Sequence, residues 1–462
     1  MVNFGVINFI KVEQKYKFSP SLFDELEKSF LEKAFYETDL GTLYQAIPFK
    51  ELASGISNPK WYRSGRGRTP WFNVEGGIAL QFLKHYTGLS DHALVKRINT
   101  DWALQLFCGI RLGTKRIKDL NIVSAWRCYL AEYLDIPNLQ KKFAEYWKPH
   151  MSYKHVSMSD ATAYESYVRF PTDVKLLWES CQWVYKQIVF ICKLRKHRKP
   201  RINFKRQEER YTAFQRRRKK GRKKERRLYF SLIRFLGKLL ERYDQLAEMY
   251  NYEPSCIHDI KRLKTIQKVY SQHKIKLSDP KKKIEDRIIS LGKPYLRPIV
   301  RGKETKVVEF GAKVNALQVD GVNFIEHISF DAFHEGNRLK QTVWLHRDLF
   351  GTCHQHGADQ IYATNENRKY CTKEGIYTCF VQKGKSGKYP EQASALRKEL
   401  GKQRATVMEG SFGNEKNHYL LNKIKARYNK TEVLWIFFGI MTANAVNISK
   451  RMNGKVKRRK AA

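Results

Sequence analysis

Three carboxylates set the chemistry to be considered. Residues seven apart on a helix return to nearly the same face, so Glu409, Phe412, Lys416 and Leu420 share one stripe. Phe412 and Leu420 belong against a sheet, and Glu409 and Lys416 are therefore expected to point inward. Gly410 and Gly413 allow a close approach. An acid on a buried stripe is costly unless it is paired or holds a metal. Both readings stay open here: a metal ligand, or a Glu–Lys contact at the helix margin. Asp160 ends one alternating run and Asp359 sits on another. Three carboxylates from two strands and a helix would suit two Mg²⁺ ions, which take oxygen ligands and keep waters and substrate phosphates in their shell. Such a pair supports in-line phosphoryl displacement, the chemistry of nucleases and polynucleotidyl transferases. With 45 acids in the chain, spacing alone does not single out these three.

The elements that must position them read as follows. Residues 21–36 form an amphipathic helix behind Ser21, with Phe23, Leu26, Phe30 and Ala34 at helical spacing. Arg63, Arg66 and Arg68 lie in a glycine-bearing loop that ends at Pro70. A helix over 72–86 stops at Thr87-Gly88, and Ser90 caps the next. That outline fits either a helix-turn-helix DNA reader or an ordinary helical hairpin. Residues 153–160 read as a short strand ending at Asp160, and Phe170–Asp173 as a turn. Helical periodicity then runs from Val174 to Ser271, broken near Pro200, Gly221 and Pro254. Strands are expected at 306–312 and 322–330, with Asp320-Gly321 as a hairpin turn. A helix over 336–349 precedes a strand over 358–362 that carries Asp359. Thr364 caps a helix to Glu374, and 376–381 is a strand. Helices over 406–428 and 433–446 close the pattern. Strands alternating with helices after an all-helical start indicate an α/β core with a helical N-terminal domain.

Composition narrows the partner. The 462 residues hold 88 Lys or Arg and 45 Asp or Glu, a formal charge of +43. Such an imbalance predicts attraction to polyanions, above all nucleic acid. It argues against a secreted disulfide scaffold and a small-molecule enzyme with a balanced surface. Residues 193–227 alone hold 19 basic and 3 acidic residues. This run, which includes Arg216, Arg217, Arg218, Lys219 and Lys220, is expected to contact DNA or RNA in a strongly salt-dependent way. Tyr211 and Phe214 within it could stack on bases, but core packing is the expected use. The eight cysteines form no CxxC pair and are expected as reduced thiols. Cys353, His354 and His356 lack a second ligand pair at zinc spacing, so a loop is expected there rather than a metal nest. Only Val6–Ile10 is apolar at the N-terminus, so no secretory leader is expected. The apolar stretch 433–446, interrupted by Thr442 and Asn444, falls short of the ~20 residues of a membrane span and reads as a buried core helix.

Several segments together resemble bacterial insertion-sequence transposases with an RNase H-like DDE core. Gly88–Ile98, running on to Leu106–Ile110, resembles that family's N-terminal helical domain. Ser159-Asp-Ala-Thr162 with Phe170–Leu177 resembles the first Asp motif and the helix after it. Pro298–Lys303 and Val308–Lys313 resemble the second and third strands. Ala358–Tyr362 with Asn365–Arg368 resembles the second Asp motif, and Glu409–Lys416 the Glu motif. The resemblance spans residues 60–450 in consistent order.

The resemblance implies Asp160, Asp359 and Glu409 as a catalytic, metal-binding triad for two Mg²⁺ ions, with Mn²⁺ a possible substitute. It implies that Lys416 touches transposon-end DNA. The family carries an Arg four residues before the Glu, where this chain has Ala405, with Arg404 one place earlier. Arg301 and Lys303 join Arg404, Arg63, Arg66, Arg68 and the basic run as expected DNA contacts. The expected architecture is an RNase H-like mixed sheet flanked by helices. A helical DNA-binding or dimerisation domain (1–150) precedes the catalytic parts (151–175 and 290–450). A basic helical insertion (176–289) and a basic tail (451–462) complete it. The expected function is cleavage at transposon ends and 3′-OH strand transfer into target DNA. The expected partners are terminal inverted repeats, target DNA and a second copy in the reaction complex, without membrane and in the nucleoid-bearing cytoplasm. A nuclease or resolvase without strand transfer, and an inactive nucleic-acid binder, are the alternatives.

Overall fold

The computed structural model describes residues 30–62, 70–300, 308–384 and 390–461, with side chains up to residue 454. Arg63, Arg66, Arg68, Arg301 and Lys303 lie outside the described residues, as does most of the helix expected over 21–36. Its end, 30–36, is helical.

Short helices at Asp39–Gln45, Phe49–Ala53 and Trp102–Phe107 surround four longer ones: α1 (Val74–Thr87), α2 (Asp91–Ile98), α3 (Ile122–Tyr133) and α4 (Ile136–Trp147). The caps fall where the side chains dictate. Asn73 accepts from the Gly76 N–H at 2.8 Å, and Ser90 from the Ala93 N–H at 3.2 Å. The helical hairpin α1–α2 is a core element: α1 buries Ile78, Leu80, Phe82 and Leu83, and α2 buries Leu94, Val95 and Ile98.

The sheet comprises β1 (Val156–Ser166), β2 (Pro298–Val300), β3 (Val308–Val319), β4 (Val322–Ser329), β5 (Gln355–Ala358), β6 (Tyr377–Thr378) and β7 (Lys423–Ile424). β3 pairs antiparallel with β1, β2 and β4, while β1 pairs parallel with β5 and β7, and β5 with β6. Asp320 and Gly321 turn the β3–β4 hairpin with φ of 48° and 73°, the left-handed pair that a tight two-residue turn demands. β4 is an outer strand, and helices cover its backbone. Gln140 of α4 accepts from the Ile325 N–H at 2.6 Å and donates to its carbonyl at 3.0 Å. Asn444 does the same for Asn323, at 3.0 and 2.7 Å. Two amide side chains thus stand in for a neighbouring strand, which blocks edge pairing.

Four helices follow β1: α5 (Asp173–Leu194), α6 (Phe204–Gln215), α7 (Arg222–Met249) and α8 (Ile257–Ser278). They close on their own apolar cluster, which includes Val184, Ile188, Leu232, Leu236 and Val269. Tyr211 stacks on Trp178 at 5.0 Å and Phe214 is buried, so these aromatics serve packing. Arg216–Lys220 form the exposed α6–α7 connection.

The remaining helices are α9 (Leu339–Phe350), α10 (Asn365–Lys373), α11 (Pro390–Gln403), α12 (Glu409–His418) and α13 (Asn429–Ala461). Residues 429–454 are long and apolar enough to cross a membrane, but 83% of the apolar window is buried within the fold. Phe437, Phe438, Ile440 and Met441 of α13 share one cluster with α1 and with β3 and β4. The N-terminal helices and the sheet therefore have a common core.

Several expectations are corrected. The first strand does not end at Asp160 but runs to Ser166, because nine residues of β1 stay in register with β3. The second expected strand, 306–312, runs on to Val319. The fourth, 358–362, is displaced: β5 ends at Ala358, and Asp359 caps a short 3₁₀ turn, Gln360–Tyr362. The strand expected over 376–381 is only Tyr377–Thr378. The helix expected over 406–428 starts instead at Pro390 and stops at His418. Leu420 has φ of 59° and so lies off the stripe, after which the chain joins β1 as β7. The tail expected at 451–462 is helical as far as Ala461, continuing α13, and Arg451 meets Asp320 at 2.8 Å.

Candidate active site

β1 lies between two partial neighbours on one side. β5 pairs with residues 156–159 and β7 with 165–166, leaving a notch between. Asp160 opens that notch. The register pairs Ser159 with Ala358, so Asp160 and Asp359 are the next residues on adjacent parallel strands. Gly357 permits this closeness, since a Cβ there would lie 2.3 Å from the Met158 sulfur. Beneath the tips, buried His356 links the two strands, with Nδ1 2.7 Å from the Ser157 Oγ and Nε2 2.9 Å from the Ser159 Oγ. Burial holds this imidazole near pKa 3, so it is neutral. His356 lies on β5, and Cys353 and His354 lie in the connection before it.

Burial pushes the Asp160 carboxyl up to about 6. The Ala161 N–H and Arg404 pull it down, and the neighbouring Glu335 and Asp359 carboxylates push it further up. Asp359 accepts from the Gln360 N–H at 2.6 Å.

Glu409 arrives from the other side. Residues Arg404–Met408 form a π-helical turn between α11 and α12. Its i→i+5 bonding widens the turn, so residues five apart fall on one side. Arg404 Nη1 accordingly donates both to Glu409 Oε1 at 3.1 Å and to Asp160 Oδ2 at 3.4 Å. An arginine one place early is thereby returned to the register of the glutamate. Helical period arithmetic cannot reveal this, because it assumes 3.6 residues per turn throughout.

The inward stripe needs correction. Phe412 is buried, but the Glu409 side chain is 54% exposed at the helix start. The buried acid of α12 is instead Glu415, a residue the stripe overlooks. Lys416 Nζ donates to Thr162 Oγ1 at 2.8 Å, two residues along β1 from Asp160. No group of three or more His, Cys, Asp and Glu poised to hold a metal is found among the described residues. The donor set nevertheless fits a hard divalent cation. Asp160 and Asp359 supply oxygen from adjacent strand ends, and a guanidinium already bridges Asp160 and Glu409.

Glu415 carries a prediction of its own. Tyr164 Oη donates to one oxygen and Asn323 Nδ2 to the other at 2.6 Å. Burial pushes the carboxyl up to about 7, against these hydrogen bonds and Lys416, which pull it down. A folded value above the ordinary 4.5 means the folded state holds its proton longer. The cost of ionisation grows as pH rises from 4.5 to about 7, then stays constant. Glu415→Gln is expected to stabilise the protein by roughly 3 kcal/mol at pH 8 and by little at pH 4. Urea unfolding at both values checks this, and an equal difference at the two would contradict it.

Comparison with known proteins places the helical part of this frame. Residues 28–128 match a family model described as Transposase domain (DUF772). No curated protein and no solved structure matches the chain. The matched region covers the hairpin α1–α2 and most of α3, the helices packed against the sheet through α13, so this part of the chain is similar to a transposase domain.

Proposed function

We propose that this chain is a transposase of the DDE polynucleotidyl transferase class, cleaving DNA at transposon ends and joining the 3′-OH to target DNA. The observation that carries the reading is the β1 notch, where the register sets Asp160 beside Asp359 and Arg404 bridges Asp160 to Glu409. The sheet order β4–β3–β1–β5–β6, with β1 and β5 parallel and the hairpin antiparallel, supports an RNase H-like core. The charge of +43 supports a DNA partner.

Asp160, Asp359 and Glu409 would hold Mg²⁺ or Mn²⁺, which activates the attacking oxygen and stabilises the leaving one when bound. The chain's own residues set the rest. The β1–β5 register and His356 fix the two aspartates. The π turn holds Glu409 beside them, where it orients the nucleophile. Arg404 screens the acids from one another. Lys416 places a cation on the same face of β1, toward the DNA backbone. The exposed Arg216–Lys220 connection supplies further phosphate contacts. Two transposon ends imply two copies in the reaction complex.

The test is a joining assay. A pre-cut duplex ending in 3′-OH, incubated with the protein, Mg²⁺ and a target plasmid, is expected to become covalently joined to the plasmid. Hydrolysis without joining would replace the proposal with a nuclease, and DNA binding without either reaction would leave a binding protein.

A further inference from the structure

A cavity of ≈ 390 Å³ lies where the end of β1 meets α5, α8 and the segment before α13. Arg169, Lys175, Arg262 and Arg427 line it, beside Tyr167 and His258. The four cations come from three stretches of chain, Arg169 and Lys175 from one and Arg262 and Arg427 from the others. None makes a side-chain hydrogen bond or ion pair among the described residues. Glu179 is the one acid in the lining, while Lys293 at its floor is already paired with Glu432. Four cations converging on one acid repel each other unless an anion enters.

The cavity is not isolated from the site. Asp160, Thr162, Tyr164 and Ser166 alternate along one face of β1. Arg404 stands over the first and Lys416 over the second, while Lys423 lies beside the end of the strand, paired to Glu165 on the opposite face. Lys425 then lies over the Tyr167 ring at the cavity mouth, 6.0 Å from its centre. Cations thus flank β1 along its length, from Arg404 at the acids to Lys425 at the cavity. From Asp160 to Tyr167 is about 23 Å of extended strand, roughly seven base pairs of duplex.

We infer that this cavity grips a backbone phosphate of the DNA leaving the active site, at the junction of the sheet and the basic insertion. The inference rests on the proposed function for the DNA's path, but not for the anion itself. Phosphate is the group that arginine and lysine forks recognise, and it carries no sequence information, so the contact positions the duplex rather than reading it.

The test uses a transposon-end duplex with single methylphosphonates, which remove one charge each, stepped from the cleavage site outward. Wild-type binding is expected to weaken about tenfold at one position roughly seven base pairs away. In Arg262→Ala/Arg427→Ala that position is expected to lose its effect, with the slope of log K against log[salt] lowered by about two. Arg262→Lys/Arg427→Lys, which keeps the charge, is expected to keep the slope, and thermal melting checks that all variants fold. An unchanged slope and an unchanged methylphosphonate profile in the alanine variant would overturn the inference. Failure of the proposed function reads out separately, as a wild-type protein that binds the duplex but neither cuts nor joins it.

Discussion

Asp160→Ala is expected to lose strand cleavage by at least ~10³-fold, about 4 kcal/mol of barrier, while duplex binding stays intact. The two effects separate because they have different sources. On the proposed function, affinity for DNA comes from the many cations spread over the chain, and removing an acid takes none of them away. Cleavage depends on a carboxylate at the notch of β1, next to Asp359 and tied through Arg404 to Glu409. Misfolding does not explain such a loss. Burial pushes this carboxyl up to about 6, so ionising it at neutral pH costs the fold stability rather than supporting it. Gel analysis of end cleavage in Mg²⁺, with binding measured at two salt concentrations, checks the prediction. A variant that cuts at the wild-type rate would contradict it.

Lys293→Met is expected to destabilise the protein by about 3–5 kcal/mol, the cost of leaving a buried charge unpaired. Glu432 at the start of α13 is fully buried and takes hydrogen bonds from Ser166 Oγ at 2.7 Å and from Lys293. Burial raises its carboxyl, and Lys293 is the cation that offsets this. Glu432 thus ties both the end of β1 and the segment before β2 to the longest helix described. If the unpaired charge is the cause, Lys293→Met/Glu432→Gln recovers most of the loss. Urea unfolding of the single and double variants checks this. A double variant no more stable than the single one would contradict the explanation.

The helices and the hairpin were legible because they are written in local chemistry. Ser90, Thr172 and Thr364 cap helices through their own oxygens, and Asp320-Gly321 takes the backbone shape that only such a pair adopts readily. The ends of strands were not legible, because pairing sets them. Residues 161–166 carry no stronger strand pattern than their neighbours, yet β3 extends alongside them. Asp359 left its strand because its carboxylate caps the turn that follows.

The site was legible in part. Asp160, Asp359 and Glu409 could be named because their motifs occur in a familiar order, whereas 45 acids gave no way to choose by spacing. Arg404 could not be placed, since only the π turn brings it to Glu409. Glu415 went unseen because a neighbour of Lys416 on a polar stretch reads as surface. Its burial depends on Tyr164 and Asn323, which come from distant strands. Asn444 read as an interruption of an apolar run and proved to be the partner of an outer strand.

The central claim is that three distant acids share divalent cations at the notch of β1. Mn²⁺ binding, followed by electron paramagnetic resonance on the full chain without DNA, tests it most directly. The account predicts bound Mn²⁺ in the wild type, with affinity at least ~10-fold weaker in Asp160→Asn and in Asp359→Asn. Equal Mn²⁺ affinity in the wild type and both variants would contradict it.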